Sequence, residues 1–421
     1  MTRALRATAL ALALLARQLA AQDTLLVVQE VHGQRSPVVT ALTFPVTVVL
    51  LPVRAVGAGL KTTTKWVEEH GVITRAARFF GAAGPFSAGL GGFGEHAGLG
   101  GGLRLDVGDR DGLSARFETG ATLPGYQRHA ATLRVRVSDA AALEAGAMYK
   151  VDTRDEFFGQ GDTAGPADRA DYRLTRVTAG GGLVARLSDH LVVEARVDWW
   201  RERAGGTPRN GLIPDLDARF AGRLPAGFGP TFTYLRPSLR AVADHVARTA
   251  RGPVGAWASL EYAYDRGTGQ ADPRFHELEV ETRGYVPLGG LRRTLAMRAV
   301  VQVRRTDRGP IPFYRLAAAG GSRGLRAFAP DRFRDANAAL LTIEYRYRIW
   351  QDDRGRMGAD LAVFSDAVAL APEPFTDFAF DRLHAGYGLA LRLTGADVIA
   401  RVEVARGPEG TRFMLKTGPL F

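Results

Sequence analysis

Two arginines in the stretch GGSRGLRAF (residues 320–328), Arg323 and Arg326, and two downstream carboxylates, Glu344 in EYR and Asp366 in FSD, are the residues whose types suggest chemistry. A guanidinium presents a planar fork that two carboxylate oxygens accept at once, so the chemistry on offer is charge-assisted pairing. Either the loop is solvated and both arginines lie in water, or it carries an arginine to a carboxylate. Catalysis finds little support. Ser365 precedes Asp366, but a nucleophile needs a base, and the eight histidines, His32, His70, His96, His129, His190, His245, His276 and His384, are dispersed without metal-ligand spacing. The chain has no G-x-S-x-G, no G-x-x-x-x-G-K-[ST] and no H-E-x-x-H. No catalytic residue, metal site or cofactor is expected, and no binding residue is identified.

Composition narrows the setting. The 421 residues include no Cys, which excludes a disulfide framework and thiolate metal sites. The net charge of +11 rests on 55 Lys+Arg spread along the whole chain rather than gathered on one face or tail, which argues against a nucleic-acid partner. At the start, MTRALRATALALALLARQLAAQD places Arg3 and Arg6 before an apolar run and then small residues. This predicts a secretory signal peptide over residues 1–21. No later segment offers the roughly 18 uninterrupted apolar residues of a membrane-spanning helix. Residues 38–60, the nearest candidate, are cut by Pro45 and Pro52 and carry Arg54.

Residues 22–83 mix apolar and charged residues at helical spacing, with Trp66, Val67, Val72 and Ile73 available for one face. The expectation is one or two short amphipathic helices, acting as a plug, a clasp or a periplasmic element, or lying on the membrane interface.

From residue 84 to 421 the period becomes two. In ALLTIEYRYRI, Leu341, Ile343, Tyr345, Tyr347 and Ile349 share one face while Thr342, Glu344, Arg346 and Arg348 share the other. The same split recurs around Met297 and Arg298, Leu278 and Glu279, Val197 and Arg196, and in VIARVEVAR with Arg401 and Glu403 on the polar side. Sixteen runs of about 10 to 14 residues, long enough for tilted bilayer-crossing strands, start near Gly84, Gly98, Leu113, Arg128, Leu143, Tyr172, His190, Pro230, Gly255, Phe275, Thr294, Ala336, Met357, Leu383, Asp397 and Thr411. Trp199, Trp257, Tyr262, Tyr264, Tyr285, Tyr345, Tyr347 and Tyr387 are candidates for interfacial girdles. Short turns alternate with longer segments over 157–170, 202–227 and 307–335, as in a barrel with its termini on the short-turn side. The fold class is therefore all-β, a 16-stranded antiparallel transmembrane β-barrel with a short N-terminal helical segment. Charges facing the lumen are hydrated or paired, whereas an Arg or Lys facing lipid at midplane would cost about 2–4 kcal/mol. The last strand, TRFMLKTGPLF, ends in Phe421, the kind of aromatic terminus expected to direct insertion into the outer membrane by its assembly machinery.

The region from IPFYRLAAAGGSRGLRAFAPDRFRDANAALLTIEYRYRI to Phe421 resembles the bacterial surface antigen family of barrels, the outer-membrane assembly factors of BamA and TamA type. The resemblance implies that the loop after strand eleven folds back into the lumen and carries a short aliphatic-Arg-Gly-aromatic motif. Its counterparts here are Leu325, Arg326, Ala327 and Phe328, preceded by Gly320 and Gly321. FSDAV matches the family's F-x-D-x-G at Phe364 and Asp366, and DEFFGQGD (155–162) is similar to a recurrent family stretch. Ala327 and Val368 stand where the family has Gly. With the loop inside, Arg326 is expected to pair with Asp366 and Glu344 on strands twelve and thirteen, because carboxylates in a partly dehydrated lumen require a cation.

The resemblance further implies an outer-membrane protein of a Gram-negative-type bacterium acting in membrane biogenesis. Its expected partners are outer-membrane lipid and lipopolysaccharide, the assembly machinery that inserts it, and a separate periplasmic protein. Family members carry periplasmic polypeptide-transport-associated domains, and residues 22–83 are short for even one of them. The alternative is a passive pore with an arginine-rich lumen that favours anions, or a structural barrel without assembly activity.

Overall fold

The computed structural model describes residues 26–27, 86–91 and, apart from short turns and loop tips, 100–417. The expected signal peptide, the expected helices of residues 22–83 and the terminal Phe421 lie outside the described residues, save for a short pairing at Leu26–Val27.

Sixteen long strands follow one another: β1 (Phe86–Gly91), β2 (Gly100–Gly108), β3 (Leu113–Thr122), β4 (Gln127–Arg136), β5 (Ala141–Phe157), β6 (Ala170–Ser188), β7 (Leu191–Gly205), β8 (Thr231–Asp244), β9 (Gly252–Gly267), β10 (Arg274–Pro287), β11 (Arg293–Arg308), β12 (Asn337–Gln351), β13 (Gly358–Ala371), β14 (His384–Thr394), β15 (Val398–Gly407) and β16 (Gly410–Thr417). Each pairs antiparallel with the next. Among the described residues no ladder joins β1 to β16. The outer edge of β16 is met instead by Leu26–Val27, with Leu26 opposite Leu415 and Val27 opposite Met414.

Alternation decides which side each residue faces. Leu260, Leu341, Ile343, Leu361, Val363, Leu389 and Phe413 point outward and are exposed, forming an apolar belt with the exposed aromatics Trp199, Tyr262, Tyr345 and Tyr387. Glu344, Asp366, Arg392, Arg401 and Glu403 point inward and are buried. Trp257 and Tyr285 depart from the girdle expectation. Both lie on the inner face: Trp257 is in register with Arg283 and lies under its guanidinium, and the buried Tyr285 is opposite Ala296 and beneath Arg346. Charged lumenal neighbours offer these rings a cation–π contact.

The connections differ by end. The turns joining even to odd strands are short, as between β6 and β7 at 189–190 or β4 and β5 at 137–140. At the opposite end, residues 158–169, 206–230, 309–336 and 372–383 form long connections. Aromatic and aliphatic side chains of two of these, Phe313, Tyr314 and Leu316 from 309–336 and Leu216 and Phe228 from 206–230, pack with Phe157 and Tyr172 into a buried apolar cluster. The loops at this end therefore have a core of their own.

Candidate functional site

The connection between β11 and β12 (residues 309–336) turns inward. Its entry and exit pair as a short ribbon, Ala317–Ala319 against Phe333–Asp335, and every one of those six residues is buried. Gly320 has φ 139°, and a Cβ there would sit 2.1 Å from the Ala329 carbonyl oxygen, so only glycine permits this bend. Leu325, Arg326, Ala327 and Phe328 lie at its tip, all 3% exposed or less.

Arg326 is fully buried at 0% exposure. Its Nε and Nη2 donate to the two Asp366 oxygens at 2.8 Å each, a bidentate pair, and its backbone N–H donates to Asp366 Oδ2 at 3.0 Å. Nη1 donates to Glu344 Oε1 at 2.7 Å and to Glu403 Oε1 at 3.0 Å. The guanidinium carbon stands 3.3 Å from the centroid of the Phe364 ring. Burial works against the charged guanidinium, but the facing carboxylates of Asp366, Glu344 and Glu403 more than offset it and raise its pKa above the ordinary arginine value. Three strands, β12, β13 and β15, thus converge on one loop residue. Glu344 also accepts from Arg392 at 2.6 Å and Arg346 at 2.8 Å, and Arg401 lies 3.4 Å from Glu403, so the carboxylates are embedded in a larger network.

Ala327 occupies its place without a left-handed backbone, since among the described residues only Asp272 and Asp331 have positive φ without being glycine. The wall supplies the room for its methyl group. A Cβ on Gly386 or Gly407 would come within 2.3 and 2.9 Å of the Ala327 Cβ. Val368 is fully buried in the apolar cluster beneath the loop, alongside Leu325, Phe328, Leu340 and Phe364.

The same connection is held on the opposite wall. Arg315, in a short 3-10 turn, reaches Asp265 on β9 at 2.9 Å and Glu277 on β10 at 3.1 Å, with Glu202 on β7 at 3.9 Å. Arg236 pairs with both Asp265 and Glu277, and the Trp200 ring lies 4.7 Å from the Arg315 guanidinium. Between the two anchors, residues 155–162 pack against the ribbon. Gly161 N–H donates to the Arg334 carbonyl at 2.8 Å, Gln160 Nε2 to Asp335 at 3.3 Å, and His384 lies 3.2 Å from Asp162 while stacking on Phe333. The loop is consequently a strut across the upper lumen.

Of the residues singled out in the sequence, Gly320, Gly321, Leu325, Arg326, Ala327, Phe328, Glu344 and Asp366 come together. Ser365 does not join them. It is exposed on the outer face and donates to the Gly386 carbonyl, while Asp366 points inward into its arginine pair. Glu403 and Arg315 were missed as partners. The alternation around Glu403 showed that it faces inward, but nothing local to either residue signals what it meets. No cluster of His, Cys, Asp or Glu suited to a metal occurs among the described residues.

No family model matches the sequence, and no curated protein resembles it in sequence. Solved structures do resemble the fold. CdiB from Escherichia coli is 12% identical with TM-score 0.49, covering 80% of this chain and 63% of its own. CdiB from Acinetobacter baumannii is 11% identical with TM-score 0.46, covering 76% and 57%. BamA from Haemophilus ducreyi lacking POTRA domains 1-3 is 15% identical with TM-score 0.58, covering 80% of this chain and 70% of that one. With its antiparallel strand order and its transmembrane apolar belt, this chain has the barrel fold that BamA has.

Proposed function

We propose that this chain is an outer-membrane barrel of the bacterial surface antigen type that works in outer-membrane biogenesis, by insertion or transport of protein or lipid, and not as an open pore. The observation that carries this reading is the strut. A connection anchored by Arg326 on β12–β15 and by Arg315 on β7–β10 crosses the path that a conducting lumen would need. The likeness to BamA in fold supports the same reading.

No catalytic step is assigned to the chain. Its partners in this role are outer-membrane lipid, the machinery that inserts it, and a periplasmic protein supplying the client-binding function.

Two measurements test the proposal. Purified barrel in planar bilayers should show low or flickering conductance, and depletion of the protein in its native host should alter the content of folded proteins or lipids in the outer membrane. Large, steady, anion-selective currents from the wild-type protein, with an unchanged outer membrane after depletion, would establish the passive pore instead.

A further inference from the structure

On the outer face of β6–β11, at the end that bears the long loops, the pairing registers gather a second set of arginines. Arg173 on β6 is opposite Gly205, while Arg203 and Arg201 on β7 are opposite Thr175 and Val177. Because Trp199, on the same face of β7, is exposed in the apolar belt, Arg201 and Arg203 also face outward. Arg266 on β9 follows Tyr262 and Tyr264 on the outward face and is opposite both Leu235 and Arg274. On β11, Arg305 is opposite His276 and Arg308 opposite Arg274. All of these arginines except the partly exposed Arg274 are exposed.

Carboxylates do not balance them. Asp272 pairs with Arg274 at 2.8 Å and Arg308 at 3.1 Å, and Asp307 approaches His276 at 2.8 Å. Arg173, Arg201, Arg203 and Arg305 make no ion pair among the described residues; Arg203 donates to the Gly229 carbonyl at 3.2 Å, and Arg266 shares Asp272 electrostatically with Arg274 and Arg308. Among the described residues the outward faces of β12–β16 at the same end carry Leu341, Ala367 and Ala385, with Arg406 exposed on β15 and Arg382 exposed just before β14. Outward arginines are therefore denser on β6–β11 than on β12–β16.

Depth indicates what this strip meets. Along β7, Arg201 and Arg203 lie two and four residues beyond Trp199, about 7 and 13 Å farther along the strand at roughly 3.3 Å per residue. Interfacial aromatics mark the boundary of the hydrocarbon. Cations just beyond that boundary, facing away from the barrel, stand at the level of lipid headgroup phosphates.

We infer that the outer rim of β6–β11 is a docking strip for phosphate-bearing lipid headgroups, with Arg173, Arg201, Arg203, Arg266 and Arg305 as its phosphate contacts. Arginine suits this task, because its fork donates two parallel hydrogen bonds to phosphate oxygens. A lipid bearing two phosphates on one headgroup could bridge cations on neighbouring strands. The strip follows from the membrane-barrel architecture and not from the biogenesis reading, so each can fail without the other.

The test uses folded full-length protein reconstituted into phosphatidylcholine vesicles containing diphosphorylated lipid A, then extracted in mild detergent and examined by native mass spectrometry. Wild-type barrel is expected to retain lipid A in preference to phosphatidylcholine, and to lose it as salt is raised. The variant R173Q/R201Q/R203Q/R266Q should retain at least about tenfold less, given the contribution of each basic side chain near an anionic surface. The lysine variant R173K/R201K/R203K/R266K should keep most of the binding, and R406Q on the opposite wall should match the wild type. Should the glutamine variant assemble poorly, the lysine variant and the salt titration of the wild type carry the test. Equal retention by wild type and glutamine variant, no preference over phosphatidylcholine, or displacement by a soluble acidic peptide would overturn the inference.

Discussion

The two anchors of the inward loop are alike in chemistry and unlike in construction. Arg326 is gripped through a bidentate bond to one carboxylate and single bonds to two more, and its neighbours Leu325 and Phe328 fill an apolar pocket. Arg315 also meets three carboxylates, but it shares them. Arg236 pairs with Asp265 and Glu277, Arg304 approaches Glu277 at 3.6 Å and Arg176 pairs with Glu202. Removing Arg315 leaves those carboxylates with other cations, whereas among the described residues Asp366, unlike Glu344 and Glu403, forms its ion pair with Arg326 alone. The difference teaches where the strut is brittle.

The largest effect is expected from Arg326→Glu, which sets a fourth carboxylate against Asp366, Glu344 and Glu403. Breaking a buried pair costs about 3–5 kcal/mol even before like-charge repulsion is added. The yield of heat-modifiable folded barrel in membranes should fall, and the double variant Arg326→Glu with Asp366→Arg should recover part of it. Unchanged assembly of the single variant would show that the grip is dispensable.

Arg315→Met should cost less than loss of Arg326, about 1–3 kcal/mol, because the remaining arginines still neutralise part of the charge. A urea titration followed by gel mobility measures it. A midpoint shift as large as that of Arg326→Met would erase the difference between the two anchors.

A steric change probes the brittle side more finely. Gly386→Ala would force its new methyl to within 2.3 Å of the Ala327 Cβ, an overpacking expected to cost about 1–3 kcal/mol. Pairing it with Ala327→Gly should restore most of the loss, and a double-mutant cycle reads out the coupling. Additivity of the two changes would mean that the methyl group does not meet the wall.

The smallest effect should come from the outer arginines. Arg173→Gln or Arg305→Gln should leave the urea midpoint in phosphatidylcholine unmoved, since these exposed side chains carry no ion pair to lose. A clear shift would show that the rim belongs to the fold rather than to what docks on it.

Legibility along the chain follows from how local each signal is. Strand starts such as Leu113, Phe275 and Thr294 were readable because a half-buried strand writes its two faces into adjacent residues. The same alternation misassigned Trp257 and Tyr285 to a girdle, because an aromatic residue near a strand end is compatible with either face when the opposite wall supplies an arginine. Arg326 and Asp366 stood out through motifs, while Glu403, 77 residues from Arg326, could be placed on the inner face but not beside its partner.

By itself, then, the sequence determined the period of two, the inward and outward sets, and the glycines at 320 and 321 that let the chain turn. Only the tertiary structure decided that β12, β13 and β15 point their carboxylates at one arginine, that Arg315 holds the opposite wall, that Gly386 and Gly407 leave room for Ala327, and that arginines from four strands form one outer rim. The reason is geometric. Alternation is set between neighbours in the chain, but proximity across a barrel depends on the register of many pairings and on the curvature they accumulate, which no short stretch of sequence contains.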